Sequence, residues 1–77
     1  MSPACTAALA ELRRMARGHP GASSGERAAW EILQNLETGR SVDFADCFCR
    51  LDGMGKRAVV QLLLDLATGT TGLIELR

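Results

Sequence analysis

The chain contains no tyrosine, two phenylalanines and one tryptophan. With so few aromatic residues, its core must be built largely from Leu, Ala, Val and Met. It also lacks a charge excess: nine Lys and Arg residues balance nine Asp and Glu residues. That balance argues against a dedicated nucleic-acid binder, which usually carries a basic surplus, and against a strongly acidic DNA mimic. Low net charge instead favours association with other proteins. No apolar run approaches the roughly 18 residues that a membrane span requires. There is one histidine, His19, and no Ser-His-Asp pattern with its usual local context. No paired carboxylates share an apolar face. Enzyme activity is therefore not expected. Three cysteines, an odd count, and the lack of a signal peptide point to reduced thiols and a cytoplasmic protein.

What is present reads as a single helical domain. At 77 residues one domain is expected. A chain this short buries only about 60% of its unfolded surface, so association would add to a thin stability margin. Ser2-Pro3 opens a first helix over about residues 3–17, with Ser2 as N-cap and Pro3 at the first helical position. Cys5, Ala8, Leu9, Leu12, Met15 and Ala16 form its apolar stripe. Gly18 and Pro20 end it, and His19 to Ala22 make a turn. Ser23 and Glu26 fit a capping box, in which the Glu26 carboxylate reaches back to the Ser23 N–H. They open a second helix over about residues 24–38. Ala29, Ile32, Leu33 and Leu36 face the core there, Trp30 sits at the flank, and Gly39 closes the helix.

Asp43 caps a short third helix, with Asp46 as the capping-box acid and Val42 as a hydrophobic staple. Its apolar face is Phe44, Cys47, Phe48 and Leu51. Asp52 caps the fourth helix and Gly69 ends it. This helix holds the densest aliphatic run, from Val59 to Leu66. At 100° per residue, Ala58, Val59, Leu62, Leu63 and Leu66 share a core-facing stripe. Val60, Leu64 and Ala67 form a second stripe, and Arg57, Gln61 and Asp65 leave a narrow polar strip. A helix this apolar is either wrapped by its neighbours or meets a partner through its second stripe. The second and fourth helices both close with Leu-x-Thr-Gly, which points to shared C-cap chemistry. Residues 70–77 read as one helical turn capped by Thr71 or as an extended arm. The expected fold is all-α: a compact four-helix domain with the fourth helix, about 53–68, central.

Several residues carry chemistry in principle. Cys47-x-Cys49 lacks the two-residue spacer of a metal pair, and helix positions i and i+2 point to nearly opposite sides. Cys5, Cys47, Cys49 and His19 are the only candidates for a joint site, and packing explains the thiols better. No metal or cofactor is expected. Gly21 to Gly25 precede a helix N-terminus but lack the lysine and preceding strand of a phosphate loop. Arg13, Arg14 and Arg17 crowd the end of the first helix, where the helix dipole favours positive charge.

The segment Ala22-Ser23-Ser24-Gly25-Glu26-Arg27-Ala28-Ala29, followed by Val42-Asp43-Phe44-Ala45-Asp46-Cys47-Phe48-Cys49-Arg50-Leu51-Asp52, resembles a family of short uncharacterised helical proteins. That family occurs in temperate bacteriophages and prophages. The resemblance covers roughly residues 10–70 and rests on helix caps, so it carries over no site residue. It implies a helical fold and a phage setting. Small phage accessory proteins often block a host machine. The resemblance therefore implies an inhibitor of a host protein complex, first the CRISPR interference complex (an anti-CRISPR protein). A pilus-assembly ATPase or a quorum-sensing regulator are the other targets.

The leading expectation is a non-enzymatic protein-binding module. Its partner-binding candidates are Arg13, Arg14, Arg17, Trp30 and Arg50. A homodimer seam through Val60 and Leu64 is the structural alternative, and a small DNA-associated regulator is another. Steeply salt-dependent binding to duplex DNA would identify the regulator.

Overall fold

The computed structural model describes residues 1–17 and 23–77. Among them the chain is helical throughout, with no strand: α1 (Pro3–Ala16), α2 (Ser24–Thr38), α3 (Phe44–Arg50), α4 (Gly53–Thr68) and α5 (Leu73–Leu76). The expected turn at His19 to Ala22, with Gly18 and Pro20, lies outside the described residues. The radius of gyration is 11.5 Å, which matches the value of about 11.5 Å for a compact chain of this length.

Local chemistry sets each helix start. Ser2 Oγ accepts from the Cys5 N–H at 3.0 Å, Asp43 Oδ1 from Asp46 at 3.2 Å, and Asp52 Oδ1 from Gly55 at 2.7 Å. Each satisfies one of the N–H groups that a helix start leaves without a partner. The cap of α2 differs in detail from expectation. Ser23 Oγ accepts from the Glu26 N–H at 3.3 Å, but the Glu26 carboxylate takes the Ser23 hydroxyl at 3.0 Å rather than its backbone N–H. At α3, the Asp46 carboxylate turns to Arg50 at 3.1 Å instead of closing a capping box.

The shared Leu-x-Thr-Gly endings have one explanation. Thr38 and Thr68 each donate a hydroxyl to the carbonyl four residues back, Gln34 and Leu64. Gly39 and Gly69 then adopt φ of 78° and 76°, where an L side chain is strained. Arg77 adds a cation at the end of α2, donating to the Leu36 and Asn35 carbonyls at 3.0 and 3.3 Å.

The core follows the stripes of α1 and α2. Cys5, Ala8, Leu9, Leu12 and Met15 are buried on α1, and Ala28, Ala29, Ile32 and Leu33 on α2. Cys47, Leu51, Ala58, Val59, Leu62 and Leu76 complete it. Helices α2 and α4 both pack most extensively on α1. The expected central position of α4 is not confirmed. Its neighbours do not wrap it: Val60, Leu63 and Leu64 are 45%, 44% and 53% exposed. The four-helix expectation also gains a fifth, single-turn helix in the tail. Gly72 precedes that turn, with its N–H donating to the Glu75 carboxylate at 3.1 Å. Thr71, expected as its cap, is instead buried.

Two residues of α4 exchange roles relative to the sequence pattern. Leu63, assigned to the core stripe, is half exposed, and Asp65, assigned to the polar strip, is only 5% exposed. The cause is a set of donors from distant segments. Asp65 accepts from the Ser2 N–H at 3.2 Å, the Ser2 hydroxyl at 2.8 Å and the Thr71 hydroxyl at 3.1 Å. Gln61, one turn earlier, donates at 3.1 Å. Burial raises the pKa of the carboxyl, but donation by Ser2, Thr71 and Gln61 outweighs it and holds the group down to about 2. Satisfying Asp65 in the interior rolls α4 by about 30° on the helical wheel. Leu63 moves outward as Asp65 moves in.

Candidate functional site

The roll of α4 leaves an apolar surface. On its outer side Leu63, Ala67, Val60 and Leu64 follow one another around a single arc, and all four are exposed. Leu63 also belongs to the wall of a groove of about 270 Å3 between α2 and α4. Ile32, Val59 and Leu62 form its floor. Leu36, Phe44, Leu66 and Leu73 join Leu63 in its walls, with Asn35 and Arg77 at its polar edge. Phe44 is 40% exposed and stacks on Phe48 with ring centroids 6.1 Å apart. Leu73 is 47% exposed, and the adjacent Ile74 is 88% exposed. Apolar side chains grouped this way, rather than scattered singly, mark interaction surfaces on folded proteins.

The expected seam residues Val60 and Leu64 both lie on this surface. The five expected partner-binding residues lie elsewhere and do not form one patch. Arg13, Arg14 and Arg17 stay together at the end of α1, all exposed. Arg13 approaches Glu37 at 3.6 Å, and Arg14 is held by Glu11 through two hydrogen bonds. That pairing lowers the Glu11 pKa and raises that of Arg14. Trp30 is half-buried on α2, with the Arg40 guanidinium 5.1 Å from its ring centroid. This is cation–π distance.

Arg50 is drawn inward. It pairs with Glu31 and Asp46, each at 3.1 Å, and its Nε is buried without a hydrogen-bond partner among the described residues. The structure does bring Arg50 and Arg14 to one cleft of about 540 Å3, together with Met15, Ser23, Gly25, Glu26, Leu51 and Asp52. Two cations there face Glu26 and Asp52 and are already engaged by Glu11, Glu31 and Asp46. Among the described residues the cleft therefore has no positive surplus with which to hold a phosphate.

The thiols are separated. Cys47 is buried, and its Sγ–H donates to the Glu31 carboxylate at 3.1 Å. That hydrogen bond, with Arg50, outweighs burial and lowers the Glu31 pKa. Burial and then the adjacent carboxylate push the Cys47 thiol up to about 11, far from the range of a reactive thiolate. Cys5 is also buried, while Cys49 faces solvent, as the i, i+2 spacing predicts. His19 lies outside the described residues. Among the described residues no three His, Cys, Asp or Glu side chains converge as metal ligands. Nor is any helix there long and apolar enough to cross a membrane.

The sequence does not announce the groove, because periodicity places Leu63 in the core stripe and leaves the conformation of the tail around Leu73 open. The available signal was the second apolar stripe on α4, which places Leu63 at the border of both stripes. No family model, curated protein or solved structure matches the chain.

Proposed function

We propose that this chain is a non-catalytic protein-binding module that works through the apolar surface of α3, α4 and α5. The observation that carries this reading is the continuity of the α4 ridge, Val60 and Leu64, with the groove lined by Leu63, Phe44 and Leu73. Such a surface offers apolar area and shape to another protein, and its polar edge at Asn35 and Arg77 supplies orientation. The arginines at the end of α1 serve as a charged surface outside this contact.

A narrower form of the reading is supported by the sequence resemblance to phage and prophage proteins. In that form the module is a phage-encoded inhibitor in the host cytoplasm that occupies and blocks a host complex, with CRISPR interference first among the targets. The test pairs two measurements on wild type and Val60→Asp/Leu64→Asp. Tagged protein is used to capture partners from a bacterial lysate, and plasmid interference by an active CRISPR system is followed in cells. The reading expects the variant to lose the captured proteins and any protection while keeping its helicity. Equal capture by the two proteins would sink it.

A further inference from the structure

We infer that the occupant of the outer face of α4 is the same face of a second copy, packed antiparallel about a two-fold axis. This rests on the reading of that face as a protein-binding surface and names what covers it when no other protein is bound. Val60, Leu63, Leu64 and Ala67 repeat at the a, d, e, a spacing of one heptad, and all four are exposed along one side of α4. A two-fold axis between Leu63 and Leu64 sets Val60 of one copy against Ala67 of the other, and Leu63 against Leu64. The large and small side chains therefore match at both ends of the contact.

Charge selects the antiparallel arrangement. Lys56 and Arg57 flank the apolar arc at the start of α4, where the helix dipole is already positive. A parallel pair would bring four cations together. The antiparallel pair sets each cationic start against the negative end of the other helix. Lys56 and Thr68 are about 18 Å apart along the axis, more than a Debye length of about 8–10 Å at ordinary salt.

The area suffices for a reversible dimer. The exposed fractions of Val60, Leu63 and Leu64, with those of Leu73 and Phe44 in the adjoining groove wall, leave about 450 Å2 of surface on each copy. A pair that covers all of it buries about 900 Å2, within the range of a weak, transient contact. The dimer expected from such a contact is reversible and not obligate.

Sedimentation velocity from about 10 μM to about 1 mM tests this directly. Wild type should shift from monomer to dimer across that range. Val60→Asp/Leu64→Asp should remain monomeric, with its helical circular dichroism retained because both side chains lie outside the core. A wild type that stays monomeric at the highest concentration overturns the inference. If the same variant still loses captured proteins from lysate, only the second-copy inference falls. If capture is also unchanged, the protein-binding reading falls with it. Orientation is read in a Cys49→Ser background, by oxidising Val60→Cys chains, Ala67→Cys chains and an equal mixture. The antiparallel pair cross-links the mixture at least tenfold more than either alone. Efficient cross-linking of each alone refutes the arrangement.

Discussion

Replacing Thr71 by Val probes the interior polar contact with little change in packing. Thr71 is 1% exposed, and its hydroxyl donates to the Asp65 carboxylate at 3.1 Å. Thr71→Val keeps the shape and removes one donor from a buried, charged acceptor. A hydrogen bond to a charged group contributes about 1.5–3 kcal/mol. In a domain of this size each kcal/mol shifts Tm by about 4–8 °C. A loss of about 2 kcal/mol at pH 7, or about 8–16 °C in Tm, is therefore expected from circular dichroism at 222 nm.

The pH dependence provides a second, independent reading. The Asp65 pKa is about 2 in the folded chain, below its ordinary value of 3.8. A depressed carboxyl pKa contributes stability that is present above the unfolded value and is lost as pH falls through the folded one. The wild type should therefore lose this contribution between about pH 4 and pH 2. Thr71→Val has less of it to lose, so the gap between the two proteins should narrow over the same window. Other carboxylates titrate there too, but they are common to both proteins and cancel in the difference. A variant as stable as wild type at pH 7, or a gap indifferent to pH, would refute the account of how Asp65 is held in the interior.

Two further outcomes follow from the same geometry. Gly69 has φ of 76° with no atom within 4 Å of an added Cβ, so Gly69→Ala meets backbone strain without a clash and should cost about 1 kcal/mol in urea unfolding. Alkylation at pH 8 should label Cys49 rapidly and spare Cys47, whose pKa of about 11 leaves about one thiolate in a thousand. Peptide mapping after short exposure distinguishes the two, and fast labelling of Cys47 would contradict its burial beside Glu31.

The parts of the fold that were legible in the sequence are those governed by near neighbours. Ser2, Ser23, Asp43 and Asp52 announce helix starts because a cap needs only a side-chain oxygen and an N–H two or three residues on. Gly39 and Gly69 announce ends for the same local reason. The stripes of α1 and α2 are legible because each has one apolar face. Helix α4 is not, because its two stripes offer two interiors. The choice between them is made by Ser2 and Thr71, and Ser2 lies 63 positions from Asp65. No periodicity within α4 contains that information. The groove inherits the same limit, since its walls come from α2, α3, α4 and α5. Arg50 shows the converse case: a charged residue expected at the surface is drawn inward by Glu31, 19 positions away.

The contact between Ser2 and Asp65 also sets a schedule for synthesis. At about 5–20 residues per second, Asp65 is made about 3–13 s after Ser2. The first helix is therefore made before the carboxylate that anchors its cap exists. The side of α1 destined for α4 has no partner until α4 is made. Closure of the domain waits for α4 and Thr71, and a chain stalled before Asp65 would present Cys5, Ala8 and their neighbours to chaperones.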